Sequence, residues 1–322
     1  MEILEYDQVD PLQVLNLNLL SLDYALTPER VALIRRLDAR SFPCFALYGV
    51  EEGVVAGQVA LYRLPVMTVD GPEEVGGVSA VCTHPAFSRR GIADRLMDEA
   101  HARMRLAGLR FSTLGTSRYR GAYDLYHRQG YQDVYSSTST FARLADVRRD
   151  TRLRLERATP QCLHLADEFF QRIASGYLGF ARRSPGFISA LTATGDLHEE
   201  EFWLLWDGSE LAGYAVANVS GSILSVYNLL LAEEVEAWEA VAAWFGGAHP
   251  DQGEAVPLAY VRVRIDHPSV AASLQRAGYP LPQPDWSVFM LKPLVPEVSL
   301  EAACRLLGIG TDRFLMSYFD IT

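Results

Sequence analysis

Apolar positions in this chain change period at a few sharp points, and the sharpest lies between Val75 and Gly108. Gly77 to Thr83 is a short apolar run with Val78 and Val81, which predicts a strand buried on both faces. Pro85 ends it, because proline cannot donate to a ladder. Beyond the turn Ser88-Arg89-Arg90-Gly91-Ile92-Ala93, the residues Ile92, Leu96, Ala100, Met104 and Ala107 recur every three or four positions, with Met97 widening the stripe. That spacing predicts a helix closed by Gly108.

The flanking chain predicts further elements. Met1 to Tyr6 reads as a first strand. Asp10-Pro11 and Thr27-Pro28 read as helix starts. The first leads into Val14, Leu15, Leu17, Leu19 and Leu20, the second into Val31, Ile34 and Leu37. Cys44 to Tyr48 and Val54 to Leu64 predict a hairpin across Glu51-Glu52-Gly53, and Pro65 to Glu74 a loop. Arg110 to Leu114 predicts a strand, Tyr119 to Arg128 a short helix and Val134 to Phe141 another strand. In the arginine-rich stretch 143–157, Leu153 and Leu155 alternate with Arg152, Arg154 and Glu156, so a strand with one solvated face is preferred to a nucleic-acid patch.

The order of elements then recurs. Thr159-Pro160 and Ser184-Pro185 read as helix starts, and Phe202 to Trp206 with Leu211 to Val219 as a hairpin. Ser222 to Leu231 is the next strand. Ala212-Gly213-Tyr214 occupies the place of Ala56-Gly57-Gln58, and Leu274 to Tyr279 echoes Tyr126 to Tyr131. Val288 to Leu291 echoes Thr140 to Ala142. The expectation is two copies of one α/β unit, residues 1–146 and 147–295, then a tail, 296–322, with a helix from Leu300 to Leu307. Its apolar, aromatic end from Phe314 to Thr322 predicts docking on the body.

Composition narrows the function classes. The chain has 322 residues, a net charge of -11 and 49% hydrophobic residues. An acidic chain disfavours nucleic acid and favours cationic small molecules. Lys292 is the only lysine, which fits codon bias better than any function. Cys44, Cys82, Cys162 and Cys304 have no paired spacing, so neither a metal site nor a disulfide framework is expected. No basic stretch followed by an apolar run opens the chain, and no apolar segment is long enough for a bilayer. The expectation is a cytoplasmic protein with no membrane partner; homo-oligomerisation stays open.

The strand, basic glycine turn and helix together suit an anion. The first helical N–H groups lack partners, the helix dipole is positive there, and Gly91 lets a ligand approach the backbone. Arg89 and Arg90 add charge for a diphosphate. An ordinary strand-to-helix joint with two solvated arginines would read the same way. Ser88-x-x-Gly91-x-Ala93 resembles the acetyl-CoA loop of the GNAT acetyltransferases, Gln/Arg-x-x-Gly-x-Gly/Ala, with Ser88 departing at the first position. Ala122-Tyr123-Asp124-Leu125-Tyr126 through Gly130-Tyr131 resembles the family's second signature, Ala-x-x-Leu-Tyr-x-x-x-Gly-Phe/Tyr. Tyr119 stands where family members often have Asn. The resemblance covers Phe45 to Phe141.

It implies a tandem GNAT-like acyl-CoA N-acyltransferase fold, α/β with a mixed sheet, using acetyl-CoA as co-substrate and no metal. The implied reaction is direct acetyl transfer to a small-molecule amine, such as a polyamine-like or aminoglycoside-like cation or an amino-sugar. By the same resemblance Val81, Cys82 and Thr83 hold the pantetheine arm. Ser88, Arg89, Arg90, Gly91, Ile92 and Ala93 hold the diphosphate, with Ser117 as an extra contact. Tyr126 matches the tyrosine that protonates the leaving thiolate; a core tyrosine is the bland alternative, and Tyr123 is a rival. Glu73, Glu74 and His84 flank the strand as candidate bases, with an ordered water as another route. The chain also resembles the tandem enhanced-intracellular-survival aminoglycoside acetyltransferases, which use their own C-terminal carboxylate as base, and this implies Thr322. In the second copy Glu233 and Glu234 stand where the diphosphate turn would be and would repel an anion. The other reading is an acyl-CoA-binding sensor or scaffold without turnover.

Overall fold

The computed structural model describes residues 1–245 and 257–320. In chain order the first elements are β1 (Glu2–Glu5), α1 (Pro11–Leu22), α2 (Pro28–Leu37), β2 (Ser41–Glu51), β3 (Val54–Thr68) and β4 (Gly71–Thr83). Next are α3 (Ile92–Leu106), β5 (Phe111–Ser117), α4 (Ala122–Arg128), β6 (Gln132–Arg143), β7 (Arg154–Arg157), α5 (Leu163–Ile173) and β8 (Leu178–Gly179). Then come α6 (Phe187–Thr194), β9 (Phe202–Asp207), β10 (Glu210–Ser220), β11 (Ile223–Leu231), α7 (Ala237–Ala242) and β12 (Tyr260–Ile265). The last are α8 (Pro268–Arg276), β13 (Gln283–Pro293), α9 (Leu300–Leu307) and β14 (Phe314–Leu315).

The long strands form one mixed sheet in the order β1-β2-β3-β4-β5-β13-β6-β12-β11-β10-β9-β7. The order interleaves strands of residues 1–146 with strands of residues 147–295. Strand β13 lies antiparallel between β5 and β6, with Met290 opposite Leu114 on one side and opposite Asp133 on the other. Strand β6 in turn lies between β13 and β12, with Thr140 opposite Val263. Strands β13 and β6 thus each lie among strands from the other half of the chain, and Val288 and Met290 pack into the core beneath α3. A second core, with Val14, Leu17, Val31 and Ile34, covers the opposite sheet face under α1 and α2.

Local chemistry explains the element starts. The Asp10 carboxylate accepts from the Leu12 N–H and the Thr27 hydroxyl from the Arg30 N–H, each ahead of a proline in the first turn. Caps of this kind contribute roughly 1 kcal/mol each. Gly308, at φ 72°, closes α9 in the left-handed conformation. Beyond it Phe314, Met316 and Phe319 are buried.

Several expectations are corrected. Residues 65–74 are the ends of a long hairpin rather than a loop: Pro65 pairs with Glu74 and Thr68 with Gly71. Leu64, Val66 and Thr68 are buried, so the period of two continues through the proline. Strand β2 pairs no further than Tyr62, which leaves Pro65 beside a largely open edge where a missing N–H breaks no ladder. In α1, Leu19 and Leu20 are exposed and Asn18 is buried, because the Asn18 amide donates to the Gln58 side chain at 2.8 Å. Thr159-Pro160 forms a turn before α5, whose first residue is Leu163. Glu233 and Glu234 lie in the loop before α7, whose N-cap is Glu236. Strand β12 was not anticipated.

Candidate active site

Strands β4 and β5 pair in parallel only at Gly76 with Ser112 and Gly77 with Thr113, and then diverge. A bulge in β4 between Ser79 and Cys82, with Ala80 at φ 46°, turns the strand away. The bulge is propped from behind: the Gln58 amide donates to the Ala80 carbonyl at 3.2 Å and exchanges hydrogen bonds with Asn18. The result is a wedge open at the C-terminal ends of two parallel strands, the position where α/β sheets accept ligands. Val81 and Cys82 point to opposite faces, into the α3 core and the α1 core respectively. The Thr83 carbonyl accepts from the Ser21 hydroxyl at 3.3 Å. Burial pushes the Cys82 thiol up to about 12, so it stays protonated and is a poor nucleophile.

The turn from Ser88 to Gly91 is exposed, while Ile92 is buried and Ala93 half-buried. Arg89 has φ 60° and Gly91 has φ 72°, two left-handed kinks that bring the chain into α3. The first return bond of the helix runs from the Arg95 N–H to the Gly91 carbonyl at 3.2 Å. The N–H groups of Ile92, Ala93 and Asp94 therefore lack helical acceptors. A Cβ on Gly91 would meet nothing within 4 Å, so the cradle is open. It can come close to the sheet because residue 57 is glycine: a Cβ there would stand 2.6 Å from Ile92 Cγ2. Arg90 stacks over Phe87 at 4.9 Å and lies 3.6 Å from Glu51, whereas Arg89 is exposed to solvent. These residues fit a diphosphate through backbone N–H groups first and Arg89 second.

Helix α4 carries Tyr126 into the core beneath α3. Tyr126 is 7% exposed, packs with the α3 core and sits edge-on to Tyr131 at 6.2 Å. Burial pushes its phenol up to about 12, with Arg120 opposing the rise and Cys82 adding to it. Tyr123 donates to Asp133 at 2.8 Å and is thereby held outside the wedge. The Ser117 hydroxyl accepts from the Tyr119 N–H at 3.2 Å and helps start the turn into α4. The proposed bases fare differently. Glu73 binds Arg110 through two bonds of 2.8 and 2.7 Å, and Glu74 binds Arg63 at 2.6 Å. Both stand at the far end of β4 from the wedge. His84 caps the short turn after it, accepting from the Ala86 N–H. Thr322 lies outside the described residues.

On the α1 side the wedge opens into a chamber of about 480 Å³. Its walls include Ser79, Ala80, Gly115 and Thr116 from the diverging strands, and Tyr24, Tyr62, Trp286, Tyr318 and Phe319 as aromatic faces. Arg40, Arg120, Asp196 and Arg264 supply the charge. Asp196 is held by Tyr24 at 2.8 Å and Arg30 at 2.9 Å, and Arg40 by Asp38 at 2.8 Å. Residues from both halves of the chain and from its last described segment thus build the chamber. The tail is anchored by Arg183, a buried guanidinium that donates to Tyr214, Ser317 and Asp320. Sequence reasoning missed every chamber residue outside the tail, since they come from separate elements with no shared spacing. Tyr126 is absent from the chamber wall and packs in the core beneath α3.

Residues 18–134 match a family model described as an acetyltransferase (GNAT) domain. This segment is a GNAT domain. The mixed sheet with its flanking helices is the GNAT acyltransferase fold, and solved GNAT-type structures resemble the chain over most of its length. A GCN5-related N-acetyltransferase from Anabaena variabilis aligns with a TM-score of 0.67 at 16% identity, covering 91% of this chain and 73% of its own. A conserved protein of unknown function from Enterococcus faecalis, described as a probable N-acyltransferase, aligns with a TM-score of 0.68 at 12% identity, covering 91% and 72%. Eis1 from Mycobacterium abscessus aligns with a TM-score of 0.60 at 15% identity, covering 91% and 74%. At such identities the likeness is one of fold. No curated protein sequence matches the chain. Among the described residues no helix is long and apolar enough to cross a membrane, and no cluster of His, Cys, Asp or Glu could hold a metal ion.

Proposed function

We propose that the chain is an acetyl-CoA-dependent N-acetyltransferase of the cytoplasm, acting on a small amine that enters through the chamber. The observation that carries this reading is the juxtaposition of an open anion cradle at Gly91, a parallel-strand wedge and a half-open chamber. Acetyl-CoA supplies an activated acyl group. The amine nitrogen bonds to the acyl carbon, the C–S bond breaks, one proton leaves nitrogen and one reaches sulfur. Tyr126 suits the sulfur side of the reaction, because a phenol held near 12 keeps its proton throughout the neutral range and so can donate a hydrogen bond to the developing thiolate, passing the proton on only as the one released from nitrogen replaces it. An ordered water or the Thr322 carboxylate serves as base.

The five aromatic faces support binding of an ammonium group by cation–π attraction. The charges support something further. Asp196, Arg40 and Arg264 are each already paired, with Arg30, Asp38 and Asp266, which leaves Arg120 as the charge the chamber offers among the described residues; an acceptor with one amine and an anionic or hydroxylated far end therefore fits better than a polyamine.

Thiol release from acetyl-CoA with a panel of amino acids, amino-sugars, aminoglycosides and polyamines tests the proposal. Tyr126→Phe should lower kcat by about 10²-fold or more with CoA affinity unchanged. Tight CoA binding with no acceptor-dependent release would leave the sensor reading. That reading is favoured by one observation, the absence of Tyr126 from the chamber wall.

A further inference from the structure

The second repeat has its own wedge. Strands β11 and β12 pair in parallel from Ile223 with Tyr260 to Val226 with Val263, and then diverge. A bulge at Tyr227 displaces β11 against β10, as the bulge near Ala80 displaces β4. The opening leads into a cavity of about 550 Å³ between α7, α8 and the tail, within the range of small-molecule sites.

Two polar groups in its wall lack partners. Asn228 is 2% exposed and its Oδ1 accepts from nothing. Arg264 is 6% exposed and lines both this cavity and the first chamber; its Nε donates to Asp266, but among the described residues its Nη2 donates to nothing. A buried polar atom left unmade costs about 1–3 kcal/mol, so an acceptor and a donor both left open in one cavity wall mark a place for a ligand with the complementary pair. The remaining charges balance. Arg276 is bound by Glu236 at 2.7 Å, and Glu233 also lines the mouth. Carboxylates at the mouth oppose a phosphate. The β11 edge beyond Val226 carries no strand on the β12 side, and an open edge binds extended amide chains through alternating N–H and C=O groups.

We propose that this second wedge is a binding site for a small, uncharged or zwitterionic molecule with amide groups and no phosphate, lying along β11 with its polar end between Asn228 and Arg264. It is separate from the GNAT cradle and requires no turnover there.

The test is calorimetric titration of the full chain, saturated with CoA, with pantetheine and with N-acetyl-dialanine amide. Support is one binding event per chain that persists with CoA present. Asn228→Leu, of similar volume, should weaken it at least tenfold, and Val270→Trp, which fills the cavity mouth, should abolish it. Both variants should keep the wild-type melting profile. The proposal is overturned if neither probe binds at millimolar concentration, if CoA displaces the probe, or if both folded variants bind as the wild type does. Because the readout is binding rather than thiol release, failure here leaves the acetyltransferase proposal intact, and the reverse holds.

Discussion

The wedge between β4 and β5 and the wedge between β11 and β12 are made the same way and suit different ligands. In each, a parallel pair parts after a few residues, a bulge turns one strand, and a glycine sits in the neighbouring strand. Gly57 admits α3, and a Cβ on Gly213 would meet the Leu230 carbonyl at 2.6 Å. The difference lies in the chain just beyond the strand. After β4 comes a basic turn with a left-handed Gly91 and a helix of 15 residues; after β11 comes an acidic loop and a helix of six. An anion site therefore depends on the helix entry, and the wedge alone supplies only an open strand edge.

The comparison would break most completely if one repeat folded alone. Fragments 1–146 and 147–322 should each fail to give a cooperative melt, because β13 fills the gap between β5 and β6. Mixed together they should regain native circular dichroism; a stable, cooperative first fragment would disprove the interleaving. Next in size is the entry itself. Gly91→Val places a β-branched residue at φ 72° and should weaken CoA binding by about 10²-fold, while binding of N-acetyl-dialanine amide stays unchanged. Equal losses for both ligands would show that the two wedges are not independent.

The supports behind the wedges differ as well. Gln58 is held by Asn18, a neutral pair, whereas Tyr214 at the matching place is held by Arg183, which also binds Asp320. Arg183→Met should lower stability by about 3 kcal/mol or more in urea titration, since Asp320 is left buried and unpaired. Asn18→Leu should cost about 1–2 kcal/mol. A reversed order would mean that the tail contributes little to the fold.

A further effect depends on pH and joins α3 to β13. His101 receives a hydrogen bond from Lys292 at 3.1 Å and contacts the Tyr131 hydroxyl at 3.0 Å. Burial, then Lys292 and Arg105, hold its pKa down at about 3. The unfolded chain takes up this proton first, near pH 6.5, so the contribution of His101 is present above that value and is lost as pH falls towards 3. By pH 5 the loss should reach about 2 kcal/mol, and His101→Phe should flatten the profile in that window. An unchanged acid slope in the variant would assign the loss to other groups.

Much of the first repeat was legible in local spacing. The α3 stripe from Ile92 to Met104, the caps at Asp10 and Thr27 and the stop at Gly308 depend on neighbours a few residues away. His101 entered that stripe unannounced, because its burial depends on Tyr131 and Lys292 from other elements. Pro65 misled because its effect depends on which edge of a strand is open.

By itself the sequence determined the strand, basic glycine turn and helix around Gly91 and the acidic residues Glu233 and Glu234 that follow β11. These rest on backbone preference and periodicity, which act over a few residues. Only the tertiary structure decided that the repeats exchange strands, that Tyr24, Tyr62, Trp286 and Tyr318 face one chamber, and that Asn228 and Arg264 share one cavity. Those facts depend on contacts between residues far apart in the chain, and packing sets them through the shape of the whole sheet.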